Sequence, residues 1–238
     1  MKNLIFLVVL VFFMFNCHKE STPSVSPMNS STNTNPTNLT SITYLALGDS
    51  YTIGESVAEK ERYPNQLAEA LKEKGFYVSS LKNIARTGWT TDELRKGIDA
   101  ENIESNKYDM VSLLIGVNNQ YRNRPVEQYK TEFTNLLNDA IRYANGNKKR
   151  VFVVSIPDYA YTPFGGGREA ISKGIDEYNA ANRQITEAAG ILYINITPIS
   201  REGLKDPSLV AGDKLHPSAK QYSQWTGLIL PEVEKLLK

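Results

Sequence analysis

From residue 42 onward the chain alternates short apolar runs with longer segments in which apolar residues recur at helical spacing. The runs Ile42–Leu47, Tyr77–Asn83, Met110–Ile115, Val151–Ile156 and Ile191–Ile196 read as strands. Most are unbroken stretches of Val, Ile and Leu, the pattern of strands buried on both faces. Tyr77–Asn83 is mixed, which predicts an edge position. Between the runs, helices are predicted over Tyr63–Lys74, Thr91–Ala100, Val126–Ala144, Ala170–Ala189 and Ser218–Leu237. Thr90-Thr91-Asp92-Glu93 and Pro217-Ser218 carry helix-start chemistry, and Gly75 and Gly190 stand where helices stop. Strand and helix alternating five times predict a doubly wound, three-layer α/β/α sandwich around a five-stranded parallel sheet. In such sheets sites form beyond the carboxyl ends of the strands.

The first 41 residues follow a different pattern. Residues 4–15 are an unbroken apolar run after Lys2. Twelve residues are too few to span a bilayer as a helix but suit the central region of a signal peptide. The run ends at Asn16-Cys17 and resembles a bacterial lipoprotein signal, in which the cysteine is lipidated and becomes the new N-terminus. Met14, Phe15 and Asn16 depart from the usual small-residue pattern there, so ordinary secretion with an incidental cysteine is the competing reading. Residues 21–41 are almost wholly Ser, Thr, Asn and Pro, with too few apolar groups to offset the entropy of ordering. A coil of that length reaches roughly 25 Å. The expected organisation is a signal peptide over 1–16, a lipidated Cys17 and tether over 17–41, and one domain over 42–238. That places the domain at the cell envelope, tethered to a membrane through Cys17.

Composition narrows the chemistry. Hydrophobic residues at 41% and charged residues at 22% predict a packed core. A net charge of +1, with no clustered Lys or Arg, offers no footprint for nucleic acid. Cys17 is the only cysteine, so no disulfide forms within the chain, and no His, Cys and carboxylate cluster has metal-ligand spacing. The histidines are His18 and His216, so an imidazole base in the domain can only be His216.

Four segments follow strands or precede the last helix: Gly48-Asp49-Ser50-Tyr51-Thr52, Asn83-Ile84-Ala85-Arg86-Thr87-Gly88-Trp89, Gly116-Val117-Asn118-Asn119 and Asp213-Lys214-Leu215-His216-Pro217. The topology gathers them at one edge of the sheet. A serine hydroxyl is a weak nucleophile until an adjacent base takes its proton. His216 can do so if a carboxylate holds its other nitrogen, and Asp213 is the nearest candidate in sequence.

These blocks resemble the SGNH, or GDSL-type, hydrolase superfamily. Gly48-Asp49-Ser50 is similar to the first block, with Tyr51 where Leu is commoner, and Gly88 to the lone glycine of the second. Gly116-Val117-Asn118 is similar to the third and Asp213-Lys214-Leu215-His216 to the last. The resemblance runs in order from Ile42 to the C-terminus. It implies a flavodoxin-like sandwich and a serine hydrolase that needs no metal or organic cofactor. Ser50 would be the nucleophile, His216 the base and Asp213 its orienting acid. The oxyanion would be held by the N–H groups of Ser50 and Gly88 and by the Asn118 amide. Thr52 occupies the place of the second glycine of a Gly-x-Ser-x-Gly elbow, so that motif is absent.

Around this set, Asp49 reads as a loop-bracing residue and Asn119 as a neighbour that shapes its loop. Residues 157–168 are aromatic and glycine-rich and read equally as a mobile pocket wall or as a surface connector. Trp89, Tyr161 and Phe164 are candidate pocket residues, with a core or rim position as the alternative for Trp89. The resemblance implies ester substrates ranging over small molecules, lipids such as lysophospholipids, acyl thioesters and acetylated glycans, without choosing among them. Two rivals stand beside the esterase: an inactive surface lipoprotein that binds glycan or protein on the same scaffold, and a flavodoxin-type nucleotide binder. The second lacks a phosphate-cradling loop after its first strand.

Overall fold

The computed structural model describes residues 39–238. The expected signal peptide, Cys17 and the tether up to residue 38 lie outside the described residues. In chain order the elements are β1 (Thr40–Asp49), α1 (Ser50–Ile53), α2 (Tyr63–Lys72), β2 (Phe76–Arg86), α3 (Thr91–Ala100), β3 (Met110–Leu114), α4 (Val117–Tyr121), α5 (Val126–Tyr143), β4 (Val151–Val154), α6 (Glu169–Ala188), β5 (Leu192–Ile194), α7 (Thr197–Ser200) and α8 (Ala219–Leu237).

The five strands form one sheet in the order β2-β1-β3-β4-β5, and every pairing is parallel. Parallel neighbours require crossovers, and the longer helices supply them, flanking the sheet. Residues Tyr44 to Leu47 of β1 and all of β4 are fully buried, as strands covered on both faces must be. β2 lies at the edge expected for it, with Phe76 and Ile84 buried and the rest of the strand half-buried or exposed. A bulge at Ser79 shifts its register against β1, and the Ser79 hydroxyl donates to the Ile42 carbonyl at 3.1 Å.

The strand order places the topological switch point between β1 and β3, where one connection leaves to β2 and the next crosses to the other side. Their carboxyl ends carry Ser50 and Asn118. β1 starts two residues before the expected domain start, at Thr40, because its N–H donates to the Gly75 carbonyl at 2.9 Å and ties the strand to the turn before β2. Two aromatic clusters fill the core under the site. Tyr63, Tyr222 and Trp225 join α2 to α8, and Tyr129 stacks on Tyr178 with ring centroids 4.6 Å apart, joining α5 to α6.

Candidate active site

The turn from β1 into α1 is built by three consecutive residues. At Gly48 a Cβ would lie 2.1 Å from Thr52 Oγ1 and 2.5 Å from the Leu114 carbonyl, so only glycine lets β1 pass this close to β3 and α1. Asp49 is the N-cap, its Oδ1 accepting from the Tyr51 N–H at 3.0 Å. Ser50 is the first helical residue, so its N–H belongs to the donors that a helix start leaves without an intrahelical partner. Gly54, at φ +66°, closes the single turn and donates to the Ser50 carbonyl. Asp49 is fully buried, and that burial pushes its carboxyl up to about 7 against the bonds from Tyr51 and Asn118.

Asn118 is presented by α4, whose N-cap Gly116 sits at φ +136° with the Tyr129 ring 2.8 Å from where a Cβ would stand. The Tyr129 hydroxyl donates to the Ile115 carbonyl at 3.0 Å and pins the turn from beneath. Asn118 Nδ2 lies 3.0 Å from the Trp89 carbonyl and 3.4 Å from Asp49 Oδ2. The first contact orients the amide. The second is long, which leaves that hydrogen weakly held. Asn119 points the other way, buried, and clamps the start of α3 through the Thr91 N–H and hydroxyl. It shapes its loop, as expected.

Gly88 lies in the turn after β2 at φ +83°, a conformation that favours glycine. Arg122 fixes this turn, donating to the Gly88 carbonyl at 2.6 Å and to Glu93 at 3.1 Å. The Gly88 N–H makes no hydrogen bond to another backbone group among the described residues.

The Asp213–His216 segment is a loop closed by the Val210–Pro217 bridge and by the Ala211 N–H donating to the His216 carbonyl at 2.7 Å. Asp213 Oδ1 accepts from the N–H groups of Leu215 and His216, at 2.9 and 3.0 Å. Its Oδ2 lies 2.6 Å from His216 Nδ1 and accepts from the Ser56 hydroxyl at 2.7 Å. Partial burial works against its charge, yet these bonds from His216, Leu215 and Ser56 hold the carboxyl down at about 2. The His216 ring is buried against Tyr51, centroids 5.1 Å apart.

Ser50, Asn118 and His216 line one cavity of about 170 Å³, together with Tyr51, Val117, Tyr121, Tyr159, Phe164 and Leu215. No hydrogen bond joins the Ser50 hydroxyl to His216 here; such contacts often close only around a bound substrate. Of the candidate pocket residues, Phe164 lines the cavity and two lie elsewhere. The Trp89 indole covers Gly97 of α3, where a Cβ would meet the ring at 2.1 Å, so its contribution is the carbonyl that holds Asn118. Tyr161 packs against the core. Residues 157–168 do supply a wall through Tyr159 and Phe164, whose rings pack on Tyr121 with centroids about 6.1 and 6.2 Å away. The Phe164 N–H also donates to the Lys214 carbonyl at 3.0 Å, bracing the Asp213–His216 loop. Among the described residues no group of three or more His, Cys, Asp and Glu side chains could hold a metal ion.

Sequence patterning did not single out Tyr121, Tyr159, Leu215, Ser56 or Arg122. Leu215 lies inside the Asp-x-x-His block, and Tyr121 three residues past Asn118, so proximity to those blocks was the available signal.

A profile of the GDSL-like Lipase/Acylhydrolase family matches residues 46–224. No curated protein matches the sequence. The fold is similar to that of a lipase/acylhydrolase from Enterococcus faecalis (TM-score 0.65, 20% identity, covering 81% of this chain and 95% of that one). It is also similar to a psychrotrophic esterase from a Pseudoalteromonas species (TM-score 0.62, 20% identity, 81% and 97%). An acetylxylan esterase from Geobacillus stearothermophilus matches as well (TM-score 0.63, 19% identity, 83% and 96%).

Proposed function

The chain belongs to the GDSL-like lipase/acylhydrolase family, and from that premise we propose that it is a serine esterase that cleaves short acyl esters through a covalent acyl-enzyme. The observation that carries this reading is the Asp213–His216 pair, 2.6 Å apart, with the imidazole opening on the same cavity as Ser50. Ser50 Oγ attacks the ester carbonyl while His216 Nε2 takes its proton. Asp213 fixes the tautomer that makes Nε2 the acceptor and stabilises the imidazolium that results. Negative charge on the carbonyl oxygen is met by the N–H groups of Ser50 and Gly88 and by the weakly held hydrogen of Asn118 Nδ2. Each such donor is worth about 10²–10³ in rate. His216 then gives its proton to the leaving alcohol, and the same base activates the water that frees the acid. No cofactor enters this sequence.

The cavity supports a short acyl group. Its volume of about 170 Å³ is close to that of an engineered apolar cavity of about 150 Å³ that takes benzene, so an acyl chain of up to about six carbons fits. The similarity to esterases that include an acetylxylan esterase accords with a small acyl group. Against an inactive binding scaffold stands the complete set of groups that acyl transfer needs, gathered at the switch point. A lipid on Cys17 would hold this activity at the cell envelope; mass spectrometry of the membrane-extracted protein tests that, and an unmodified Cys17 overturns it. The esterase reading is tested with p-nitrophenyl acetate, butyrate, hexanoate and decanoate. Turnover of the short esters, abolished in Ser50→Ala and at least about tenfold lower in kcat/KM for decanoate, is the expected result. Absence of hydrolysis, or a preference for decanoate, overturns it.

A further inference from the structure

Ser56 lies two residues past the turn that ends α1, at φ +67°. Left-handed backbone is unfavourable for a residue with a Cβ, and glycine adopts it freely. Ser56 takes that backbone with its side chain engaged by a partner far away in sequence. Its hydroxyl donates to Asp213 Oδ2 at 2.7 Å, across 157 residues of sequence. That is the same oxygen that faces His216 Nδ1. The neighbouring Glu55 accepts from the Thr87 hydroxyl in the turn that carries Gly88, and its N–H donates to the Ser50 carbonyl at 3.0 Å. Segment 54–57 therefore touches the nucleophile's helix, the Gly88 turn and the acid of the pair.

We propose that Ser56 is a positioning residue that sets the plane and basicity of the Asp213 carboxylate, and through it the basicity of His216. This rests on the esterase reading above and adds to it a group outside the four sequence blocks. The carboxylate oxygen shares its electron density between two donors. The Ser56 bond thus weakens the pull of Asp213 on the imidazolium proton and keeps the carboxylate in the imidazole plane. The other groups around the pair are the Tyr51 ring on His216, the buried Asp49 and Tyr222 hydroxyl nearby, and the Lys214 ammonium on the same loop. None of these donates a hydrogen bond to Asp213 Oδ2, so the hydroxyl has no substitute.

The test is Ser56→Gly in the full chain. Glycine removes the hydroxyl and relieves the backbone, so a merely structural serine would be replaced without loss. Two readouts are taken: kcat and KM on p-nitrophenyl acetate, and the proton NMR resonance of the His216 Nδ1–H that faces Asp213, assigned by its loss in His216→Gln. The expected result is a melting temperature equal to or above wild type and a kcat lower by about tenfold, the order expected for one bond to a charged group. KM should hold, and the His216 Nδ1–H proton resonance should move downfield as Asp213 Oδ2, freed of the Ser56 bond, accepts from the imidazole more strongly. An active wild type whose kcat and His216 Nδ1–H resonance are both untouched by Ser56→Gly overturns this inference and leaves the esterase reading standing. A wild type that hydrolyses no ester overturns both.

Discussion

Asp49 adjoins Ser50 and is fully buried with no cationic partner among the described residues, and this makes the stability of the fold depend on pH in a direction unusual for a carboxylate. Its ordinary value of 3.8 is pushed up to about 7 by burial, and the bonds from the Tyr51 N–H and Asn118 Nδ2 offset only part of that. Between those two values the folded chain holds a proton that the unfolded chain has released. Stability must then fall as pH rises through the window, in contrast to the gain that salt-bridged carboxylates give. One pKa unit is about 1.36 kcal/mol, so the whole window is worth at most about 4 kcal/mol. Asp49→Asn removes the titration. The Asn oxygen can still accept from the Tyr51 N–H, but its amide then faces the Asn118 amide, donor against donor, which returns about 1–2 kcal/mol of the gain. The expected outcome is a variant more stable than wild type at pH 8 by about 2 kcal/mol, with the advantage vanishing near pH 5 and reversed at pH 4. Urea unfolding at pH 4, 5.5, 7 and 8, read by tryptophan fluorescence, measures it. Parallel stability-against-pH curves for the two proteins would refute the assignment.

Other outcomes follow from the same geometry. Asp213→Asn leaves two backbone N–H groups bonded to the amide oxygen and turns its NH₂ toward His216 Nδ1; the imidazole then carries its proton on Nε2, and kcat on p-nitrophenyl acetate should drop by about 10³–10⁴ with the fold intact by circular dichroism. Because the Asp213 carboxyl sits near 2, the support it gives the loop is present above about pH 4 and is lost only as pH falls through 2, so its wild-type role persists across the working range of an ester assay. Gly116→Ala puts a Cβ into the Tyr129 ring and a side chain at φ +136°; a loss of more than about 2 kcal/mol in urea unfolding is expected, together with lower kcat as Asn118 is displaced.

Much of the fold was legible because the long elements carry strong periodic signals. All five strands and the five long helices lie where the apolar pattern puts them, with no end shifted by more than three residues. The Thr90 and Ser218 starts cap α3 and α8: the Thr90 N–H donates to Glu93, and Ser218 accepts from the Gln221 N–H. The short helices α1, α4 and α7 were not legible, since four or five residues are too few to show a helical period. The first two nevertheless carry Ser50 and Asn118, and there glycine in special conformations and Asp49 as N-cap do the local work. Of the site, the Asp213–His216 pairing follows from a spacing of three in a tight loop and was readable. The Ser56 bond and the Tyr121–Tyr159–Phe164 wall arise from residues distant in sequence, which no local pattern joins. Trp89 shows the converse: adjacency to Gly88 suggested the pocket, while Gly97 of α3 offered the flat surface its ring required.

The central claim is that Ser50 is a nucleophile activated by His216, and an ethyl fluorophosphonate probe tests it most directly, because an activated serine displaces its fluoride and no substrate preference is needed. Intact-protein mass spectrometry should show one stoichiometric adduct on wild type, mapped to the peptide containing Ser50. It should show none on Ser50→Ala, and labelling slowed by orders of magnitude on His216→Ala. An unlabelled wild type, or the same peptide labelled in Ser50→Ala, would contradict the account.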